Sequence, residues 1–177
     1  MKIEKAKFWG SKYIVFTLSL PDGREIYMRE ALNHHEDNGF IVFVDSARFE
    51  SVWFKCAGEY PPHLHLARGT KQHRMDDDKF GNADDAFSLS KDSPVKLAFL
   101  GVSSYQIPNV SFTDGVTRTV WLLAHGASCF PVYVYSEKAA QHVHQSVGLR
   151  NISFISLQEL SDKLLSRNEL LISDLFL

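Results

Sequence analysis

A chain of 177 residues lies in the size range of one hydrophobic core, and 45% hydrophobic with 23% charged residues is ordinary globular usage, which excludes a disordered chain. The net charge of −2 removes the broad positive field on which non-specific nucleic-acid binders rely, so any DNA contact must come from a local patch. No run of about eighteen apolar residues occurs, and Met1 to Lys5 leads into polar sequence instead of a signal core; the expectation is a cytoplasmic chain without membrane insertion.

Tyr13 to Leu18 is β-branched and aromatic, and Pro21-Asp22-Gly23 turns it into the shorter run Arg24 to Met28, which reads as a hairpin. After the polar stretch Asn33 to Gly39, the apolar run Phe40 to Val44 suits a buried strand. Asp45 or Ser46 caps a helix whose Phe49, Val52, Trp53 and Cys56 form one buried face, with Arg48, Glu50 and Lys55 outward and Gly58 and Pro61-Pro62 as terminators. His63 to Ser93 is polar and without clear period; its length predicts short irregular elements or a functional lid. Val95 to Leu100 and Val110 to Phe112 read as strands, Arg118 to His125 as a helix stopped at Gly126, and Phe130 to Tyr135 as a strand. Ser136 opens a helix ending at Gly148, Ile152 to Ile155 is a short strand, and Ser156 to Glu159 is a capping box for a last helix. The fold class expected is α+β, a single domain 1–177 with a mixed sheet flanked by helices. Its segments are an N-terminal hairpin and connection (1–39), a core (40–155) and a C-terminal helix and tail (156–177).

The chemistry concentrates in Asn109 to Leu123, where a glycine turn separates a strand from a helix N-terminus. The first turn of a helix has unpaired N–H groups and a partial positive charge; Gly115 permits close backbone approach, Thr117 and Thr119 add hydroxyls, and Arg118 adds a forked cation, a set suited to phosphate. Asp114 could orient Arg118, accept from a ribose hydroxyl, or hold a metal carried by a nucleotide. Taken alone, Asp-Gly is also a tight turn and Thr117 an N-cap.

The order of elements around this loop, with Gly126-Ala127 and the strand opening Phe130-Pro131-Val132, resembles the ParB/sulfiredoxin-like fold, whose members hold nucleotide phosphates in the loop. Phe40 to Asp45 with Arg48, Phe49 and Trp53, Asp78-Lys79-Phe80, Pro94 to Ala98, Asp114 to Leu123 and Gly126-Ala127 resemble the plasmid fertility inhibition factors, over roughly residues 40 to 148. The resemblance implies a plasmid-encoded inhibitor of conjugative DNA transfer, with ATPase or DNase activity on this fold and ATP and Mg²⁺ as cofactors. Asp114 and Arg118 would then be catalytic, with Asp114 positioning Mg²⁺ or water, and Gly115, Thr117, Arg118 and Thr119 would bind phosphate. Of the Glu-Arg-Arg that follows the glycine in ParB proteins only Arg118 carries over, and Val116 stands where sulfiredoxin has its catalytic cysteine, which disfavours sulfinic-acid reduction. The competing expectation is a non-catalytic interaction protein acting on a conjugation coupling protein or type IV secretion component, and a third is a ParB-like DNA-binding regulator; the expected partner is that coupling protein or secretion component, or transferred DNA.

The one concentrated basic stretch, Arg68 to Arg74 with Lys71, precedes Asp76 to Lys79; folded over the Asp114 loop it would supply auxiliary contacts from Arg68, Lys71, Arg74, Asp78 and Lys79, and otherwise it is a solvated loop. His63 and His65 lack a third ligand, and His142 and His144 diverge on a helix, so neither zinc nor haem is expected. His125 reads as a helix C-terminal cap, Trp53, Trp121 and Phe130 as core, and Cys56 and Cys129 as buried thiols.

Overall fold

The Tyr13 to Leu18 run lies inside a strand, β2 (Ser11–Ser19), whose residues 13–18 are all buried. A computed structural model describes residues 1–32, 39–56 and 63–176; the stretch 33–38 and the terminators Gly58 and Pro61-Pro62 fall outside it. The turn after β2 closes as expected: Gly23 takes φ +86°, and Asp22 Oδ1 accepts from Arg24 N at 3.0 Å. β3 (Glu25–Ala31) then runs back along β2, with Ile26, Met28 and Glu30 turned inward.

A strand the sequence reading did not mark, β1 (Lys2–Phe8), lies on the other side of β2, joined to it by the two-residue turn Trp9-Gly10. Its lysines hide the alternation; pairing on both sides holds it in the sheet. Its second neighbour is β10 (Glu169–Leu171), also unmarked. The first sheet is ordered β10-β1-β2-β3-β5, its last strand being β5 (Val95–Lys96), so it draws strands from all three expected segments of the chain.

The expected strand Val95 to Leu100 is instead two strands. β5 (Val95–Lys96) runs parallel to β3, and β6 (Ala98–Gly101) belongs to the second sheet. Leu97, fully buried, is the crossing point, and its N–H donates to Arg29 O at 2.9 Å. The second sheet is β7-β6-β8-β4-β9, built with β4 (Phe40–Asp45), β7 (Ser111–Asp114), β8 (Cys129–Val134) and β9 (Ile155–Ser156), the last shorter and later than expected. β8 is parallel to β6 and antiparallel to β4.

α1 (Ser46–Cys56) begins where Asp45 Oδ1 accepts from Arg48 N at 3.0 Å. Its Phe49 and Trp53 rings pack on Phe112, with centroids 5.8 and 5.4 Å away. Arg48 does not face solvent: its guanidinium donates to Gln145 O (2.8 Å), Ser146 O (3.3 Å) and Gly148 O, closing the C-terminus of α6 (Glu137–Val147). The polar stretch 63–93 folds into three short helices, α2 (Leu64–Arg68), α3 (Lys71–Met75) and α4 (Phe80–Phe87). The expected capping box at α7 (Leu157–Ser166) is half made: Ser156 Oγ accepts from Glu159 N at 3.1 Å, whereas the Glu159 carboxylate turns to Lys163. A reciprocal box stands at Thr70 and His73 instead. No helix among the described residues is long and apolar enough to cross a membrane.

The two sheets share one core, through contacts such as Phe16 of β2 against Phe43 of β4 with ring centroids 6.4 Å apart. Both rings are fully buried, so the fold is one mixed α/β domain with two sheets flanked by helices. Phe43→Ala should therefore cost about 3–5 kcal/mol, through lost burial and the cavity left between the sheets. Urea denaturation should register it as a lower midpoint in one cooperative transition for both sheets; two separate transitions would contradict the shared core.

Candidate functional site

At the end of β7 the register against β6 slips: Phe112 faces Leu100 while Asp114 faces Phe99, so Thr113 is the extra residue of a bulge. Bulges re-aim the side chains beside them. Here the chain leaves the sheet at Asp114 and turns at once into α5 (Val116–Ala124), two residues earlier than the expected helix start.

Gly115 makes that turn possible for two reasons. Its φ is +95°, left-handed backbone that costs any residue with a Cβ, and a Cβ there would lie 2.7 Å from Ala98 Cα and 2.8 Å from Ala98 Cβ. Gly115, and not Thr117, is the N-cap, so no side chain meets the amides of the first turn of α5. Thr119 turns inward: fully buried, its hydroxyl donates to Gly115 O at 3.0 Å, which takes it away from the cleft.

The first turn of α5 opens on a cleft of about 350 Å³ lined by His63, Lys79 and the run Phe112 to Arg118. Asp114, Gly115, Thr117 and Arg118 thus stand together, as the sequence reading required. The orientation of Arg118 was not foreseen. One Nη donates to Lys96 O (2.9 Å) and Leu97 O (3.0 Å), and the other to Asp114 Oδ2 (2.8 Å). Its side chain is 19% exposed against 57% for Asp114, so most of the guanidinium fork is turned toward the protein, fastening the β5–β6 crossing to the loop. The ion pair itself adds little stability because its acid is exposed.

Lys79, exposed at the start of α4, is the cation of the opposite wall, and it has no carboxylate within ion-pair distance among the described residues. Asp77 Oδ1 accepts from Lys79 N at 3.1 Å, which holds that wall in place. His63, whose ring lies 6.1 Å from that of Phe112, is pushed below the ordinary histidine range by burial first and then by its neighbours His65 and Lys79, which favours its neutral form. The sequence reading weighed His63 as a metal ligand only; no spacing signal marks it as a cleft wall.

The basic stretch does not fold over the loop. Arg68 donates to Phe54 O at 3.2 Å and lies over the Phe54 ring, and Arg74 is buried, donating to Leu66 O at 2.9 Å and pairing with Glu50. Both line a separate groove along α1, while Lys71 and Asp78 are exposed and line neither. Of the five auxiliary residues only Lys79 reaches the cleft. Among the described residues no group of three or more His, Cys, Asp or Glu side chains is arranged to hold a metal, and Asp76 accepts from Gln72 at 2.8 Å. Asp114 is the one carboxylate among the described residues that line the cleft. Trp53, Trp121 and Phe130 are core, His125 Nδ1 lies 2.9 Å from Trp121 O at the end of α5, and both cysteines are free and half-buried rather than fully buried.

Glu30, absent from the sequence-derived set although period two on β3 points it inward, lies 8% exposed with Oε2 unpartnered among the described residues. Burial raises its carboxyl above the ordinary range, and Lys96, Arg29 and Arg118 offset this in part.

Comparison with known proteins agrees with this architecture. The family described as Plasmid Fertility inhibition factor matches residues 41–148. Protein osa of Shigella flexneri is 33% identical over 139 residues, covering 77% of this chain and 69% of that protein. The crystal structure of Oncogenic Suppression Activity Protein, a plasmid fertility inhibition factor solved as a gold(I) cyanide derivative, superposes with a TM-score of 0.77 at 27% identity, covering 94% of this chain and 84% of its own.

Two substitutions probe the site. Gly115→Ala combines left-handed strain with a clash on Ala98 and should cost at least about 1–3 kcal/mol, read as a lower denaturation midpoint. Glu30→Gln should raise the midpoint at pH 7. The folded carboxyl has its pKa above the unfolded value of 4.5, so the native state binds the extra proton and the wild type gains stability as pH falls toward 4.5. The advantage of the variant should shrink over that window; a constant difference would show that burial of the charge is not its cause.

Proposed function

This chain belongs to the plasmid fertility inhibition factor family, and from that premise we propose that it restrains conjugative DNA transfer in the bacterial cytoplasm by binding a nucleotide-type phosphate in the Asp114–Arg118 cleft. The observation that carries the reading is the side-chain-free N-cap at Gly115, which leaves the α5 amides open to a cleft that the exposed Lys79 also lines. Amides and one exposed cation lining a polar hollow suit an anion of phosphate size. In this reading Lys79 and Thr117 meet the phosphate while Arg118 positions the loop. The kinship of the core with ParB/sulfiredoxin-like proteins belongs to the same proposal, supported by the strand, glycine turn, helix, strand, helix order over β7, α5, β8 and α6.

ATP hydrolysis or DNA cleavage asks more of the same residues. Asp114 would have to release Arg118 to position Mg²⁺ or water, and Arg118 would have to leave two carbonyls to meet developing phosphoryl charge. That commitment favours a second reading, in which the chain inhibits without catalysis by binding a conjugation coupling protein or type IV secretion component.

Calorimetric titration with ATP and Mg²⁺, alongside a transfer assay between donor and recipient strains, separates the two. Lys79→Ala should weaken binding about tenfold, roughly 1.4 kcal/mol for one charge-assisted contact, with affinity falling as salt rises. Arg118→Ala should lose binding together with stability, because it also frees the crossing at Leu97. Absence of ATP binding by the wild type, with Lys79→Ala and Asp114→Ala still blocking transfer, removes the phosphate reading and leaves the interaction one.

A further inference from the structure

The turn between β1 and β2 holds a residue that turn chemistry does not select. Phe8 pairs with Ser11 across it, and the intervening Trp9 and Gly10 have φ values of +49° and +83°, so both central positions are left-handed, as in a type I′ hairpin. Such a first position favours Asn, Asp or Gly, and a bulky side chain there is an outlier. Among the described residues Trp9 is the one non-glycine with positive φ, and it is 71% exposed. Turn geometry therefore does not account for a tryptophan at this place.

Its surroundings are cationic on both faces. On one, the Arg29 guanidinium lies over the Tyr13 ring at 4.5 Å and the Trp9 ring at 5.7 Å, with Phe8 5.9 Å from each; Arg29 is half-buried, and its Nε donates to Pro94 O at 3.1 Å. On the other, Lys7 and Lys12 are exposed and paired directly across the strands, an arrangement in which like charges repel. None of the three cations has a carboxylate within ion-pair distance among the described residues, although the chain as a whole is acidic.

We infer that the Trp9 hairpin tip is a docking surface for an acidic, partly apolar segment of a protein partner. An apolar side chain of that segment covers the Trp9 ring while its carboxylates reach Arg29 on one face and relieve the Lys7–Lys12 repulsion on the other. Trp, Tyr and Arg are the residue types that dominate protein interfaces. Arg29, Lys7 and Lys12 cover only a hairpin tip on a chain of net charge −2, which matches a short acidic segment better than the extended charge of a nucleic acid or a membrane. The tip lies outside residues 41–148, so it can vary partner choice without touching the family core. The inference does not depend on phosphate binding in the Asp114 cleft.

Trp53 and Trp121 are buried, so collisional quenching of tryptophan fluorescence by acrylamide reports Trp9 in the full-length protein. A capped peptide alternating glutamate and leucine should protect Trp9 and shift its emission to the blue, and Arg29→Glu combined with Lys12→Glu should abolish that protection. The same peptide with lysine for glutamate should give none. Trp9→Asn, suited to the turn, should keep or raise the thermal midpoint while losing inhibition in the transfer assay. Protection by the lysine peptide, by a single-stranded oligonucleotide or by vesicles of equal phosphatidylcholine and phosphatidylglycerol in place of the acidic peptide overturns the inference. So does the absence of protection by any probe, or a folded Trp9→Asn protein that inhibits as the wild type does.

Discussion

The clasp of Arg118 on the carbonyls of Lys96 and Leu97 is the interaction on which the architecture of the site rests. At Leu97 the chain passes from one five-stranded sheet to the other, and a crossing of this kind leaves backbone carbonyls that need a donor from outside the strand ladders. A guanidinium from the first turn of α5 meets them. The same side chain holds Asp114, so the helix start, the end of β7 and the junction of the two sheets become one rigid corner. Gly115 fits beneath Ala98 in that corner because it lacks a Cβ.

That commitment redistributes roles among the cations. A forked cation beside a glycine turn reads, in sequence, as a phosphate ligand, and the same residue in the fold is largely satisfied by the protein. Lys79 takes the open position. It comes from a helix that packs against α5, through the stack of Phe87 on the Trp121 ring (centroids 4.2 Å apart) and the Trp121 Nε1–H bond to Asp84 (2.8 Å). The polar stretch 63–93 is thus less a lid than a buttress, presenting one lysine and one imidazole to the cleft and spending its arginines on α1 and α2.

Much of the fold was legible because periodic burial fixes local conformation. The Tyr13 to Met28 hairpin, the α1 face of Phe49, Val52 and Trp53, the Ser136 cap of α6 and the buried strands β4 and β8 follow from apolar spacing and turn residues. The failures share a cause. β1 and β10 are strands by virtue of neighbours distant in sequence, and Val95 to Leu100 is apolar except at Lys96 whether it serves one sheet or two. Arg48 and Arg118 were assigned by residue type, whereas their partners, at Gly148 and at Lys96 and Leu97, are chosen by packing.

The sequence by itself determined that this is a mixed α/β chain of the fertility inhibition family, with Asp114, Gly115, Thr117 and Arg118 gathered at one strand-to-helix turn, because adjacency along the chain guarantees their proximity. Tertiary structure decided which of them face outward. The division of strands between two sheets, the inward fork of Arg118 and the approach of Lys79 all depend on contacts between segments far apart in sequence, and side-chain direction at such contacts is set by packing that no local pattern encodes.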